Sequence, residues 1–135
     1  MQTFLPYPDF AESARVLDNK RLGKQRVEVL QILNVLTDST RKGWRNHPAV
    51  AMWRGHEGAL IEYGVAICNE WIGRGFRDTV RLKLLDRQIP PSPLPAWLGD
   101  ECFHSSHRSI LLQKNPDHYA QFGWDDPIQE CHWPV

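Results

Sequence analysis

The sequence predicts an all-α fold: a single-domain, compact helical bundle over residues 1–135, with two long helices, shorter C-terminal helices and an extended N-terminal arm. Three observations predict it. Apolar residues recur every three or four positions through Lys20–Leu36 and again through Pro48–Arg74, the period of a helix with one buried face. Asp, Pro and Gly stand where helix ends need caps. The length of 135 residues, 41% of them hydrophobic, suits one domain that buries about two-thirds of its unfolded-chain surface without a metal or disulfide.

The elements follow in order. Residues 1–8 contain Pro6 and Pro8 and read as an extended arm. Asp9 stands three residues before Glu12, a capping-box spacing, so a helix begins near Phe10 with Phe10, Ala14 and Leu17 on its apolar face. Asp18-Asn19 caps a second helix or bends the first. Over Lys20–Leu36 the apolar face is drawn through Val27, Leu30, Leu33 and Leu36, with Val29 and Ile32 as the alternative to Leu33. Thr37–His47, with Asp38, Ser39 and Gly43, reads as a loop. Pro48 opens the next helix, predicted to run unbroken to about Arg74 with Trp53, Leu60, Ile67 and Trp71 buried. Gly55 and Gly58 weaken its early turns by about 1 kcal/mol each relative to alanine, and Gly75 caps its end. Asp78 caps a short helix over Thr79–Asp86. Ile89–Trp97 carries four prolines and forms a stiff connector. A helix over Glu101–Lys114 and a short one from Pro116 to Phe122 complete the bundle, and Gly123–Val135 has no period.

Charge and cysteine usage narrow the function. The net charge is zero and the pI about 7.0, which argues against a broadly basic nucleic-acid coat protein and leaves room for a local basic groove. Cys68, Cys102 and Cys131 are odd in number and irregular in spacing, and Met1–Phe10 lacks the basic start and apolar run of a signal peptide. A reduced, cytoplasmic protein is expected. No apolar stretch approaches the roughly 18 residues of a membrane span.

The chemistry gathers on the second helix. Lys20, Arg21, Lys24 and Arg26 crowd its first turns, Arg15 lies just upstream, and Glu28 follows. Arg21, Lys24, Gln25 and Glu28 stand at relative positions 0, 3, 4 and 7 and share one face. Cations so placed hold nucleic-acid phosphates by charge-assisted hydrogen bonds. A carboxylate among them stabilises positive charge developing on a sugar, or moves a proton. The plainer alternative is a solvated helix face, with Lys24–Glu28 a surface pair worth about 0.3–0.5 kcal/mol.

Arg21-Leu22-Gly23-Lys24-Gln25-Arg26-Val27-Glu28-Val29-Leu30 resembles the catalytic helix of the pyrimidine-dimer DNA glycosylases. Pro48–Arg74 with Gly75-Phe76 and Asp78-Thr79 resembles that family's second long helix and its exit. His104–Leu112 with His118-Tyr119-Ala120-Gln121-Phe122-Gly123 is similar to its third helix and aromatic C-terminal segment. The resemblance implies a metal-independent, cofactor-free, all-α enzyme. Such an enzyme excises a damaged or modified base from double-stranded DNA, and then cleaves the strand by β-elimination through an imine on its N-terminal α-amine. Carried over, Glu28 is the catalytic glutamate. Gln2 is large, so Met1 is expected to be retained; its α-amine is the candidate nucleophile, with Lys20 or Lys24 as substitutes and a glycosylase without the lyase step as the alternative. The family has an arginine directly before its glutamate, where this chain has Val27, and another where it has Gln31. A monomer is expected.

Around that centre, Arg15, Lys20, Arg21, Lys24, Gln25 and Arg26 are the candidate DNA contacts on the first two helices. His104, His107 and Arg108 are expected to face DNA or the site, because imidazole and guanidinium hold phosphates and assist proton transfer. Tyr119, with Trp44, Phe122 and Trp124, is a candidate to wedge or stack against bases, core packing being the alternative. Two rival functions remain at this point. One is a non-catalytic nucleic-acid-binding module. The other is a helical metal-binding or interaction domain using Cys102, His104 and His107.

Overall fold

The structure, a computed structural model describing residues 1–38, 40–41 and 43–135, is helical, with no strand among the described residues. Helix α1 spans Phe10–Val16 and starts where expected, because the Asp9 carboxylate accepts the Glu12 amide at 2.8 Å. Helix α2 runs over Asn19–Thr37. The Tyr119 ring is buried, and its hydroxyl donates to the Asp18 carboxylate and accepts the Asp18 amide at 3.0 Å, fixing the entry to α2 from the far end of the chain. The expected loop over Thr37–His47 includes Ser39 and Lys42, which lie outside the described residues.

The single helix expected over Pro48–Arg74 is broken in two. Helix α3 covers Pro48–Ala51 and α4 covers Glu57–Gly73. Gly55 adopts φ +83° between them, a conformation open to glycine and strained for L side chains. Helix α5 spans Arg81–Leu85, with Asp78 accepting the Arg81 amide at 2.8 Å. Helix α6 covers Glu101–Lys114, and α7, Pro116–Tyr119, leads into a 3₁₀ turn over Ala120–Phe122.

The two long helices pack directly on each other. A Cβ on Gly64 of α4 would stand 2.7 Å from Val29 of α2 and 2.7 Å from Leu84 of α5, so only glycine admits this approach. The core between them comprises Leu22, Val29, Ile32 and Leu33 from α2 with Leu60, Tyr63 and Ile67 from α4. Val27 was expected on the apolar face and is instead 45% exposed. The buried stripe runs through Leu22, Gln25, Val29 and Ile32, about 100° round the helix from where Val27 would have put it.

The N-terminal arm is threaded into this core. Thr3, Phe4 and Leu5 are buried, with no strand beside them. Their buried backbone groups must still find partners, and side chains supply them. Gln25 holds Gln2 and Phe4, Tyr63 the Phe4 carbonyl, His104 and His107 Leu5, and Arg108 the Pro6 carbonyl. Ser13 takes both the amide and the carbonyl of Tyr7. The fold thus brings the first residues of the chain against α2.

Candidate active site

Glu28 lies at the edge of the buried stripe of α2 and is 8% exposed. Lys24 Nζ stands 4.0 Å from its Oε1, a loose contact made by a lysine whose side chain is 72% exposed. Oε2 is buried and has no hydrogen-bond partner among the described residues. Buried polar atoms are nearly always paired, and leaving one unpaired costs about 1–3 kcal/mol. Glu28 therefore holds acceptor capacity that the fold does not use.

Two clefts meet at this residue, and Met1 lines both. One, of about 330 Å³, is walled by Lys20, Arg21, Lys24 and Lys114. The other, of about 300 Å³, is walled by Gln31, Val35, Arg41 and Trp44. The cationic cleft suits a phosphate backbone. Trp44 is 54% exposed and offers the second cleft an aromatic face. Its ring centroid lies 5.6 Å from that of His47, which packs edge-on against Trp133 at 6.0 Å. Nδ1 of His47 accepts the Ala49 amide at 3.0 Å, so in the neutral ring the proton sits on Nε2. Partial burial, then the positive amino terminus, holds the His47 pKa below its ordinary value, while Glu28 pulls it the other way. His47 thus feels both the positive amino terminus and the Glu28 carboxylate.

The structure divides the residues singled out by sequence. Met1, Glu28, Lys20, Arg21 and Lys24 come together at the clefts. Arg21 also pairs with Asp18 at 3.0 Å, which orients it. Arg15 is exposed on α1 and pairs with Glu12. Arg26 is turned away from the clefts: its guanidinium pairs with Asp78 at 2.6 Å and lies 4.6 Å from the Trp71 ring. Gln25, a candidate DNA contact, borders the cationic cleft, is 2% exposed and bonds to the arm through its amide.

The α6 residues are corrected most. His104 and His107 are 0% and 1% exposed and close on the two sides of one residue. Nε2 of His104 accepts the Gly99 amide, so Nδ1 carries the proton and donates to the Leu5 carbonyl at 2.8 Å. Nδ1 of His107 accepts the Leu5 amide at 2.9 Å, leaving Nε2–H toward Cys131 Sγ at 3.6 Å. Burial lowers both pKa values, that of His107 to about 3. With their ring nitrogens spent, neither histidine faces DNA or a metal, and no group of three potential ligands occurs among the described residues. Arg108 is likewise taken up by Asp126, Glu101 and the Pro6 carbonyl. Tyr119 is sealed in the core as the partner of Asp18, and stacks on Trp124 there.

Sequence reasoning missed Lys114 and Arg41 as wall residues, and it did not connect His47 with Trp44 beside the second cleft. Lys114 ends a helix almost ninety residues from α2, and no local spacing connects the two. His47 was visible as the residue before Pro48, where an N-cap is expected, but its neighbours come from both chain ends.

A family model described as pyrimidine dimer DNA glycosylase matches residues 1–84, more than half of the chain. The chain belongs to this family. The match covers the arm and α1–α4, and so contains Met1, Lys20, Arg21, Lys24, Glu28 and Trp44. No curated protein and no solved structure matches the chain. Membership in the pyrimidine dimer DNA glycosylases carries a DNA glycosylase-type repair function, with DNA as the substrate. Among the described residues, no helix is long and apolar enough to cross a membrane.

Proposed function

We propose that this protein excises a damaged base of the pyrimidine-dimer kind from double-stranded DNA and then nicks the strand as an AP lyase, with Glu28 and the α-amine of Met1 as its catalytic groups. The observation that carries the proposal is the buried, unpartnered Oε2 of Glu28 at the junction of two clefts that Met1 also lines. In its neutral form an α-amine is a competent nucleophile. The neutral amine adds to C1′ as the C1′–N bond to the base breaks, and the base departs with a proton. The sugar ring then opens to an imine, and removal of a C2′ proton expels the 3′ phosphate. Glu28 stabilises the cationic sugar and iminium, where charge appears only as the reaction proceeds. Lys20, Arg21 and Lys24, with Lys114, bind the strand's phosphates, and Trp44 stacks on a base displaced from the helix. The same reading takes residues 1–135 as one domain acting as a monomer in the cytoplasm.

The test is base release and borohydride trapping on dimer-containing and abasic duplexes. The expected result is a covalent adduct that maps to the Met1 peptide. Glu28→Gln should cut base release about 10²–10³-fold, the usual loss on removing one group aimed at transition-state charge. Unchanged release in Glu28→Gln would refute the assignment.

A further inference from the structure

The arm has no strand beside it, yet near its start it is gripped as a strand is. Gln25 Nε2 donates to the Gln2 carbonyl at 2.9 Å, and Oε1 accepts the Phe4 amide at 2.9 Å. In a parallel ladder, one residue of the neighbouring strand likewise donates to the carbonyl before its partner and accepts from the amide after it. Here a single amide side chain makes both bonds about Thr3. The Gln2 carbonyl and the Phe4 amide fix which amide atom points where, and the Tyr63 hydroxyl, 2.6 Å from the Phe4 carbonyl and 2.9 Å from Oε1, closes the group with the one hydrogen it can donate.

Position gives this grip its consequence. Gln25 precedes Glu28 by three residues on α2, about 4.5 Å along the axis at 1.5 Å per residue. The residues that hold Leu5 and Pro6 belong to α6, a different element. Gln25 therefore ties the arm, one residue from Met1, to the same rigid helix that carries the carboxylate. Gln25 borders the cationic cleft, but it is 2% exposed and its amide is spent on the arm.

We infer that Gln25 is a positioning residue that sets the separation between the Met1 amine and the Glu28 carboxylate, an inference that rests on the amine chemistry proposed above. Its loss misplaces the nucleophile while leaving the phosphate-binding wall intact. A catalytic group displaced by about 1 Å typically costs on the order of 100-fold in rate.

The experiment measures single-turnover borohydride trapping on abasic duplex across a range of DNA concentrations, separating the maximal rate from half-saturation. Gln25→Glu keeps the shape and the acceptor for Phe4 but turns an oxygen toward the Gln2 carbonyl. Gln25→Asn keeps both polar groups and draws them back by one methylene, adding no charge. Ile67→Val in the α4 core is the stability control. The expected result is a maximal rate about 100-fold lower in both Gln25 variants, half-saturation within about twofold of wild type, and thermal midpoints comparable with the control. A maximal rate no lower than in Ile67→Val, or a loss confined to half-saturation, overturns the inference while leaving a wild-type adduct at Met1 intact. A wild type that releases base yet forms no adduct at Met1 overturns the amine chemistry, and this inference with it.

Discussion

Helices α2 and α6 carry similar polar side chains and use them in opposite ways. On α6, His104, His107 and Arg108 are fully engaged: every ring nitrogen and most guanidinium donors meet a backbone group, a carboxylate or a thiol. On α2, Lys24 is largely exposed and Glu28 keeps a buried oxygen without a partner. Residue type alone does not separate a site from a brace. Unspent hydrogen-bonding capacity beside open space does, because a folded chain rarely leaves it without a reason. The two helices also divide the labour. The family match contains α2 and stops before α6, and α6 supplies the clamp that keeps the arm in place beside α2.

The most forceful way to break this contrast is to titrate or delete the clamp. His107→Ala leaves the buried Leu5 amide without an acceptor and opens a hole, and should lower stability by about 3 kcal/mol in urea melts. The pH dependence has a definite sign. The folded pKa of His107 is about 3, against about 6.5 in an unfolded chain, so the unfolded state binds more protons between those values. The stability that His107 contributes is complete above about pH 6.5 and is lost as pH falls toward 3, with His104 shifted in the same direction. Asp18, Asp78 and Asp126 are held below the usual carboxylate range despite burial, by their hydrogen-bond and ion-pair partners, and add their own losses below about pH 4. Between pH 6.5 and 4 the histidines dominate. Wild type should lose about 3 kcal/mol there, at 1.4 kcal/mol per pH unit, and His107→Ala distinctly less. Equal slopes in the two proteins would mean the clamp does not hold in solution.

How much of this was legible in the sequence depends on range. Helices α1, α2 and α6 followed from periodicity and caps because both are local; Glu101–Lys114 matches its expected limits, and Asp9 caps as its spacing to Glu12 implied. The break between α3 and α4 was not legible. An interior glycine costs a helix only about 1 kcal/mol, so Gly55 alone does not announce the φ of +83° at which the helix breaks. Spacing put Glu28 and its cations on one helix face, but only the family resemblance set that face apart from an ordinary solvated one. Gln25 could not be sorted, since its spacing places it both with Arg21, Lys24 and Glu28 and within the buried stripe, and only the arm's position reveals its partner. The histidines were misread because imidazoles look alike in sequence whether they hold a phosphate, a metal or the chain's own backbone.

A smaller effect sharpens the contrast at the aromatic cleft. Trp44 is over half exposed, whereas Trp53 is fully buried and donates its indole N–H to Thr3 at 3.0 Å. Trp44→Ala should weaken DNA binding by about 1–3 kcal/mol, the range for a base stacked on an aromatic ring, and Trp44→Phe should recover most of it. The thermal midpoint should hardly move, because little buried area is lost. Fluorescence titration against duplex DNA reads the first quantity and a melt the second. A large fall in the midpoint with unchanged affinity would make Trp44 a core residue.

The smallest effect separates free cations from committed ones. Each phosphate neutralised by a side chain adds about −0.9 to the slope of log affinity against log salt, so losing one contact flattens the slope by about that amount and weakens binding uniformly across sequences. Lys20→Ala, at the wall of the cationic cleft, should show this with its stability unchanged. Arg26→Ala should do the reverse. The guanidinium lies between Asp78 and the Trp71 ring, and Asp78 also caps α5, so its removal strands a largely buried carboxylate. Stability should then fall while the salt slope keeps its wild-type value. Lys24→Ala falls between the two, because it removes both a phosphate contact and the positive charge nearest Glu28. If Arg26→Ala flattened the slope as much as Lys20→Ala, the division of α2 into a DNA-facing edge and an inward edge would have to be redrawn, with Arg26 released from Asp78 when DNA binds.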